Sequence, residues 1–238
     1  MSYREFLQGK LISVEHCGFD VEVQNSLAFG WQKELSRWAL KIGRAALFED
    51  CGLGKTPQEL MYAKEAARFT GKPVLILAPL AVSMQTKREG EKFGIPVNIA
   101  ELEADIRPGV NITNYEKLDR FDAGCFGGIV LDESSILKAY MGKTKRMLVE
   151  KFQDVPFRMA GTATPAPNDL MELLNHAEFL GVMRSCEALS VWFIADQRKS
   201  GKYRLKGHAQ KDFWRWVASW AVCIEKPSDI GHSDEGYL

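Results

Sequence analysis

The sequence predicts an α/β fold, a mainly parallel sheet with helices on both faces. Three observations predict it. Short apolar runs at Ala45–Phe48, Val74–Ala78, Gly127–Leu131 and Val155–Ala160 have the length and composition of strands buried on both sides. Stretches with helical spacing alternate with these runs, the pattern of βαβ units. Every polar cluster also sits at the end of such a run, and in open parallel sheets ligands bind beyond the carboxyl ends of the strands.

Residues 1–28 read as an extension before the main fold, with strand-like Leu11–Val14 and Phe19–Val23 forming a small hairpin around Gly18. Trp31, Leu35, Trp38 and Ala39 then recur at helical spacing, an amphipathic helix covering the sheet. Within it, the Gln32 amide can donate and accept at once, as reading an adenine edge requires.

The first polar cluster, Glu49-Asp50-Cys51-Gly52-Leu53-Gly54-Lys55-Thr56, follows the apolar run Ala45–Phe48. Gly52 and Gly54 let the backbone turn so that N–H groups, including that of Leu53, can point at phosphate oxygens. A helix start adds further unpaired N–H groups. In such a turn Lys55 reaches the β/γ-phosphates of a bound ATP and the Thr56 hydroxyl holds Mg²⁺. The match to a full phosphate loop is partial, because Glu49 stands where the first glycine would be. Pro57 suits the first turn of a helix running to about Phe69 and ending at Thr70–Pro73. Strand Val74–Ala78 ends at Pro79; a helix through Gln85–Phe93 and short strands at 97–99 and 110–113 follow.

The second cluster, Asp132-Glu133, closes the strand beginning at Gly127. Two carboxylates at a core strand need a positive partner, and Mg²⁺ on phosphates supplies one. Asp132 would hold the ion and Glu133 would orient the attacking water. Lys138–Phe152 reads as helix. The third cluster, Gly161–Asp169, follows the next strand. Asn168 or Asp169 caps a helix through Leu170, Leu173 and Leu174, and Thr162 and Thr164 can bond the acidic pair next door.

The 238 residues are 46% hydrophobic and 26% charged, with zero net charge, so any nucleic-acid contact rests on a local patch. Five scattered cysteines without a C-x-x-C, and four isolated histidines, exclude a disulfide framework and zinc spacing. No apolar run reaches membrane-spanning length and the first residues are polar, which predicts a cytoplasmic protein without membrane contact. Between Asp196 and Arg215 seven Lys/Arg face two Asp. Lys199, Lys202 and Arg204 in that loop are nucleic-acid candidates, while Phe213, Trp216, Val217 and Trp220 at i, i+3, i+4, i+7 form a buried helix face.

In order and spacing these clusters resemble the motifs of superfamily 2 helicases and translocases, nearest to the Snf-type ATPases. Residues 49–56 resemble that family's D-E-M-G-L-G-K-T, Asp132-Glu133-Ser134-Ser135 its D-E-x-H box, and Gly161 to Asn168 with Glu172-Leu173 its G-T-P-x-x-N-x-x-x-E-L. Trp31-Gln32 with Trp38 resembles its adenine-reading motif. Ala78-Pro79-Leu80 and Ile112-Thr113-Asn114-Tyr115-Glu116 resemble two motifs gripping DNA phosphates. The resemblance implies a P-loop NTPase, RecA-like lobe using ATP and Mg²⁺ on duplex DNA, from a phage or bacterium. Pro79, Thr113 and Asn114 join the nucleic-acid candidates. Here Ser134-Ser135 replaces the box histidine, and the extra Ala163 leaves open which threonine couples.

The expected division is a lobe over 29–185, a helical basic and aromatic appendage over 186–226, and from 227 the start of a linker to a second RecA-like lobe. That lobe, supplied in cis or in trans, carries the arginine finger in such motors, worth roughly 10³–10⁵ in rate. Alone, this chain would bind ATP and hydrolyse it poorly. A nucleic-acid or protein binding module, or another P-loop enzyme, is the alternative.

Overall fold

The computed structural model describes residues 14–138, 143–195 and 202–237. Among them β1 (Arg44–Glu49), β2 (Val74–Ala78), β3 (Val97–Ile99), β4 (Val110–Asn114), β5 (Gly128–Asp132), β6 (Phe157–Thr162) and β9 (Ala221–Ile224) form one sheet. Its order is β3-β4-β2-β5-β6-β1-β9, with every neighbouring pair parallel. A separate antiparallel pair joins β7 (Phe193–Ala195) to β8 (Tyr203–Leu205).

Strand residues point alternately to opposite faces, and both faces are apolar. On one side Ala45, Leu47, Val74, Ile76, Ala78 and Val130 pack with α1 (Gly30–Ile42) and α2 (Lys55–Thr70), alongside α3 (Ser83–Lys92). On the other side Ala46, Phe48, Leu75, Leu77, Ile129 and Leu131 meet α4 (Lys143–Phe152), α5 (Glu172–Leu180), α6 (Ser185–Trp192) and α7 (Gln210–Ala218). Two-sided burial is why these strands read as unbroken apolar runs. Leu75 and Leu77 are fully buried; truncating such a residue to alanine costs about 2–5 kcal/mol.

Several expectations change. The alternation at Phe19–Val23 forms no strand. That segment instead follows the end of α1, with the Cys17 N–H on Ile42 O and the Phe19 N–H on Leu40 O, while Phe19 stacks on Phe69 at 4.0 Å. Leu11–Ser13 lie outside the described residues. Of the helix expected over Lys138–Phe152, the described part is Lys143–Phe152; Ser134–Lys138 before it make a 3₁₀ turn, and 139–142 lie outside the described residues.

The stretch after residue 185 is also not an appendage beside the lobe. Its strand β9 pairs with β1 from Ala46↔Ala221 to Glu49↔Ile224 and covers what would be an open sheet edge. Phe213, Trp216, Val217 and Trp220 are buried against the sheet, as their spacing predicts.

Candidate functional site

The carboxyl ends of β1, β5 and β6 bring the three clusters together, with β6 lying between the other two. After β1 the chain turns through Gly52 and Gly54, at φ 91° and 71°, both left-handed conformations that side chains disfavour. α2 then begins at Lys55 with no side chain capping its first N–H groups. A helix start of this kind is an anion site. The Lys55 ammonium reaches back to the carbonyls of Glu49 and Asp50, at 2.9 and 3.2 Å, and spans the mouth of the turn. Thr56 follows it, half-buried.

Gln32 is 5% exposed, and both ends of its amide are engaged. Its Nε2 donates to Leu53 O at 3.1 Å and its Oε1 accepts from the Phe29 N–H at 3.1 Å. Its amide therefore staples the start of α1 to the Gly52–Gly54 turn. Leu53 itself is buried, with its side chain in the core and its carbonyl on this staple.

Asp132 and Glu133 end β5. Burial, then the Glu133 charge, pushes the Asp132 carboxyl up to about 6, against the pull of Lys55. The Tyr115 hydroxyl donates to Asp132 O at 2.8 Å and anchors the strand end. Glu133 has φ 56°, the one left-handed non-glycine backbone among the described residues. This turns its carboxylate toward β6, where Thr162 Oγ1 donates to Glu133 Oε1 at 2.8 Å.

Of the two threonines, Thr162 is the buried one on the acid. Thr164 is exposed, and its backbone N–H donates to Thr162 Oγ1 at 3.1 Å. Asp169 Oδ1 accepts from the Met171 N–H at 3.0 Å and opens the turn into α5, while Asn168 Nδ2 donates to Glu172 Oε1 at 3.0 Å.

Sequence reasoning missed the burial of Glu49, and Glu59 altogether, beneath the turn. Glu49 is 1% exposed and accepts from Gln58 Nε2 at 2.7 Å; burial lifts its carboxyl to about 7, against that bond and Lys55. Glu59 is 1% exposed, neither carboxyl oxygen has a hydrogen-bond partner, and burial holds its pKa well above the usual range, with Asp132 adding to the effect. Such a group stays protonated, since a lone buried carboxylate is too costly. The readable signal was an acid on the apolar stripe of α2, three and four residues before Tyr62 and Ala63. Gly161 passes directly over it: a β-carbon there would lie 2.4 Å from Glu59 Oε1.

Thr56 and Asp132 offer hard oxygens, the donors that suit Mg²⁺. Among the described residues no group of three or more His, Cys, Asp or Glu could enclose a metal. Mg²⁺ at phosphate sites needs no such cage, taking one or two protein ligands plus phosphates and water, so these residues fit it.

The nucleic-acid candidates divide. Pro79 and Asn114 line a cleft of about 410 Å³ with Leu80, Tyr115, Glu133 and Ser135. Thr113 is buried, and Asn114, 4% exposed, spends its side-chain oxygen on the Lys117 N–H at 3.1 Å. Lys202 and Arg204 are exposed at β8, far along the chain from that cleft. Lys199 lies outside the described residues. No helix among those residues is long and apolar enough to cross a membrane.

This arrangement is similar to known ATPase cores. The SWI2/SNF2 ATPase core of Sulfolobus solfataricus in complex with dsDNA superposes with a TM-score of 0.71 at 23% identity, over 90% of this chain and 48% of that one. The UvsW helicase of bacteriophage T4 superposes at 0.54 with 13% identity, over 77% of this chain and 66% of its own. At these identities the likeness shows the fold alone, an α/β RecA-like lobe. In sequence the chain is 32% identical over 167 residues to protein p41 of Acyrthosiphon pisum secondary endosymbiont phage 1, which covers 59% of this chain. The chain spans 36% of that phage protein and about half of the archaeal core, 48%. No protein-family model matches it.

Proposed function

We propose that this chain is the ATP-binding lobe of a phage or bacterial DNA-dependent ATPase of the Snf-type helicase class, coupling ATP hydrolysis to movement on or remodelling of duplex DNA. The observation that carries the reading is the Glu133–Thr162 bond at the carboxyl edge of the sheet, in line with the Lys55 turn two strands from β5. A water-activating acid tied to a threonine on the intervening strand suits phosphoryl transfer to water, where catalysis is mainly positioning and charge stabilisation.

In this reading the open N–H groups at the start of α2 bind the phosphates. Lys55 leaves its two backbone carbonyls for the β/γ-phosphate oxygens, and the Gln32 staple keeps the turn in shape beside the adenine. Thr56 and Asp132 would hold Mg²⁺, which when bound neutralises charge developing on the phosphates. Glu133 orients the attacking water, and Thr162 and Thr164 report its state to α5. Pro79 and Asn114, at the cleft, approach one strand of duplex DNA with Thr113 supporting them from within β4, and Lys199, Lys202 and Arg204 add charge. Full turnover draws an arginine finger from a second RecA-like lobe, in cis or in trans.

The test is ATP hydrolysis with and without duplex DNA, for this chain and for its longest natural reading frame. Glu133→Gln should keep ATP binding and lose DNA-stimulated turnover, while Lys55→Ala should lose both. Absence of DNA-stimulated, Lys55-dependent hydrolysis in every form would reject the enzyme and leave a binding module.

A further inference from the structure

His176 lies on α5, fully buried among Leu173, Leu174 and Ala177. Its ring meets three elements. Nδ1 is 3.2 Å from Glu172 O one turn back, Nε2 is 3.2 Å from Ser134 Oγ, and the Phe48 ring of β1 packs edge-on at 5.2 Å. A carbonyl only accepts, so Nδ1 carries the proton and Nε2 accepts from the Ser134 hydroxyl. Burial lowers the His176 pKa to about 4, which keeps the ring neutral and that tautomer in place.

Ser134 directly follows Glu133, whose backbone holds a left-handed conformation at φ 56°. A non-glycine residue stays there only when its surroundings enforce it. α5 supplies two grips on that turn: His176 on Ser134, and Asn175 Nδ2 on Leu137 O at 2.7 Å. The first turn of α5 is in turn held through Glu172 to Asn168. The box Asp132-Glu133-Ser134-Ser135 lacks a histidine of its own.

We propose that His176 is a positioning residue for the proposed hydrolysis: by holding Ser134 it fixes the strained Glu133 turn, keeps the Glu133 carboxylate on Thr162, and links that turn to the 161–168 segment through α5. It rests on the ATPase reading above. His176 touches neither nucleotide nor water; it acts through Ser134.

The test uses the full chain with His176→Leu, His176→Gln and Ser134→Ala, read by amide hydrogen exchange at residues 133–135 without nucleotide, by nucleotide affinity with a fluorescent ATP analogue, and by kcat and KM. His176→Leu and Ser134→Ala should each speed exchange at that turn and lower kcat by about tenfold or more, on the scale of one buried hydrogen bond. Nucleotide affinity and KM should hold within about twofold, since the phosphate turn is untouched. His176→Gln, whose amide oxygen can still accept from Ser134, should recover most of kcat. The double variant should be no worse than the worse single one, because both remove the same bond. If exchange and kcat stay at wild-type values while only melting temperature falls, His176 is packing and the proposal is overturned. Should the His176→Leu protein not fold, Ser134→Ala decides by the same criteria. If wild type shows no Lys55-dependent hydrolysis, the ATPase reading fails by itself. Unchanged exchange in Ser134→Ala then removes the positioning role as well, whereas faster exchange upholds the grip on the turn.

Discussion

Thr162 Oγ1 donates to Glu133 Oε1 at 2.8 Å, joining the last residue of β6 to the residue just beyond β5. Both ends of this bond come from strand ends held by parallel pairing from Gly128↔Phe157 to Asp132↔Gly161. The sheet register therefore brings the two strand ends together, and the left-handed turn at Glu133 completes the contact.

Replacing Thr162 with valine should remove that bond while keeping the side-chain volume. We expect turnover to fall about 10- to 100-fold with ATP affinity nearly unchanged, the signature of an interaction used in the transition state. Thr164→Ala should do much less, because Thr164 is exposed and contributes only its backbone N–H to the Thr162 hydroxyl. Steady-state ATPase kinetics on both variants decide; an equal or larger loss in Thr164→Ala would reverse the assignment.

Gly161→Ala should destabilise the protein by about 1–3 kcal/mol, since its new methyl would sit 2.4 Å from the buried Glu59 oxygen. Shortening the partner should relieve the clash. The double variant Gly161→Ala/Glu59→Ala should therefore lose less than the sum of the single variants, by about 1 kcal/mol in urea unfolding. Simple additivity would mean that the strand, not Glu59, resists the methyl.

Two buried groups give stability opposite pH slopes. The Glu49 carboxyl is raised from 4.5 to about 7 in the fold. Its contribution is complete below its unfolded value and is lost as pH rises through the folded one, about 3 kcal/mol over that window. His176 is lowered from 6.5 to about 4, so its contribution is complete above 6.5 and is lost as pH falls through 4, again about 3 kcal/mol. Chemical denaturation across pH should show Glu49→Gln gaining relative to wild type toward neutral pH. His176→Gln should gain toward acid pH. The same slope in both variants as in wild type would show that neither group titrates as its burial implies.

Gln32→Ala removes the staple between Phe29 N and Leu53 O. Stability should fall by about 1–2 kcal/mol, the range for a buried hydrogen-bonded side chain. If the amide also reads adenine, the preference for ATP over GTP should collapse toward parity in competition binding. Retained preference would limit Gln32 to holding the turn.

The parts of the site legible in sequence share one property: chemistry demands a particular residue at a strand end. Asp132, Glu133 and Thr162 stand out because two acids and a hydroxyl are unusual directly after apolar runs, and Lys55 because it closes the glycine turn that follows one. What stayed hidden is non-local. Glu59 and His176 occur singly within helices, and their meaning depends on Gly161 and Ser134, which reach them only through the sheet. Strand β9 is four residues long, and its role comes from pairing with β1, far earlier in the chain. The Phe19–Val23 alternation misled because its partner is the end of α1, not another strand.

The position of β9 has a consequence for how the chain is made. β1 pairs with Phe157–Thr162 on one side and with Ala221–Ile224 on the other, so the strand leading into the Gly52–Gly54 turn is flanked only by later segments. At roughly 5–20 residues per second of synthesis, β1 waits many seconds on the ribosome with both edges open. Such long-range closure slows folding and exposes apolar edges. Both edges of β1 can be closed only once residue 224 has left the exit tunnel, and nascent chains stalled before that point should be the ones that chaperones hold.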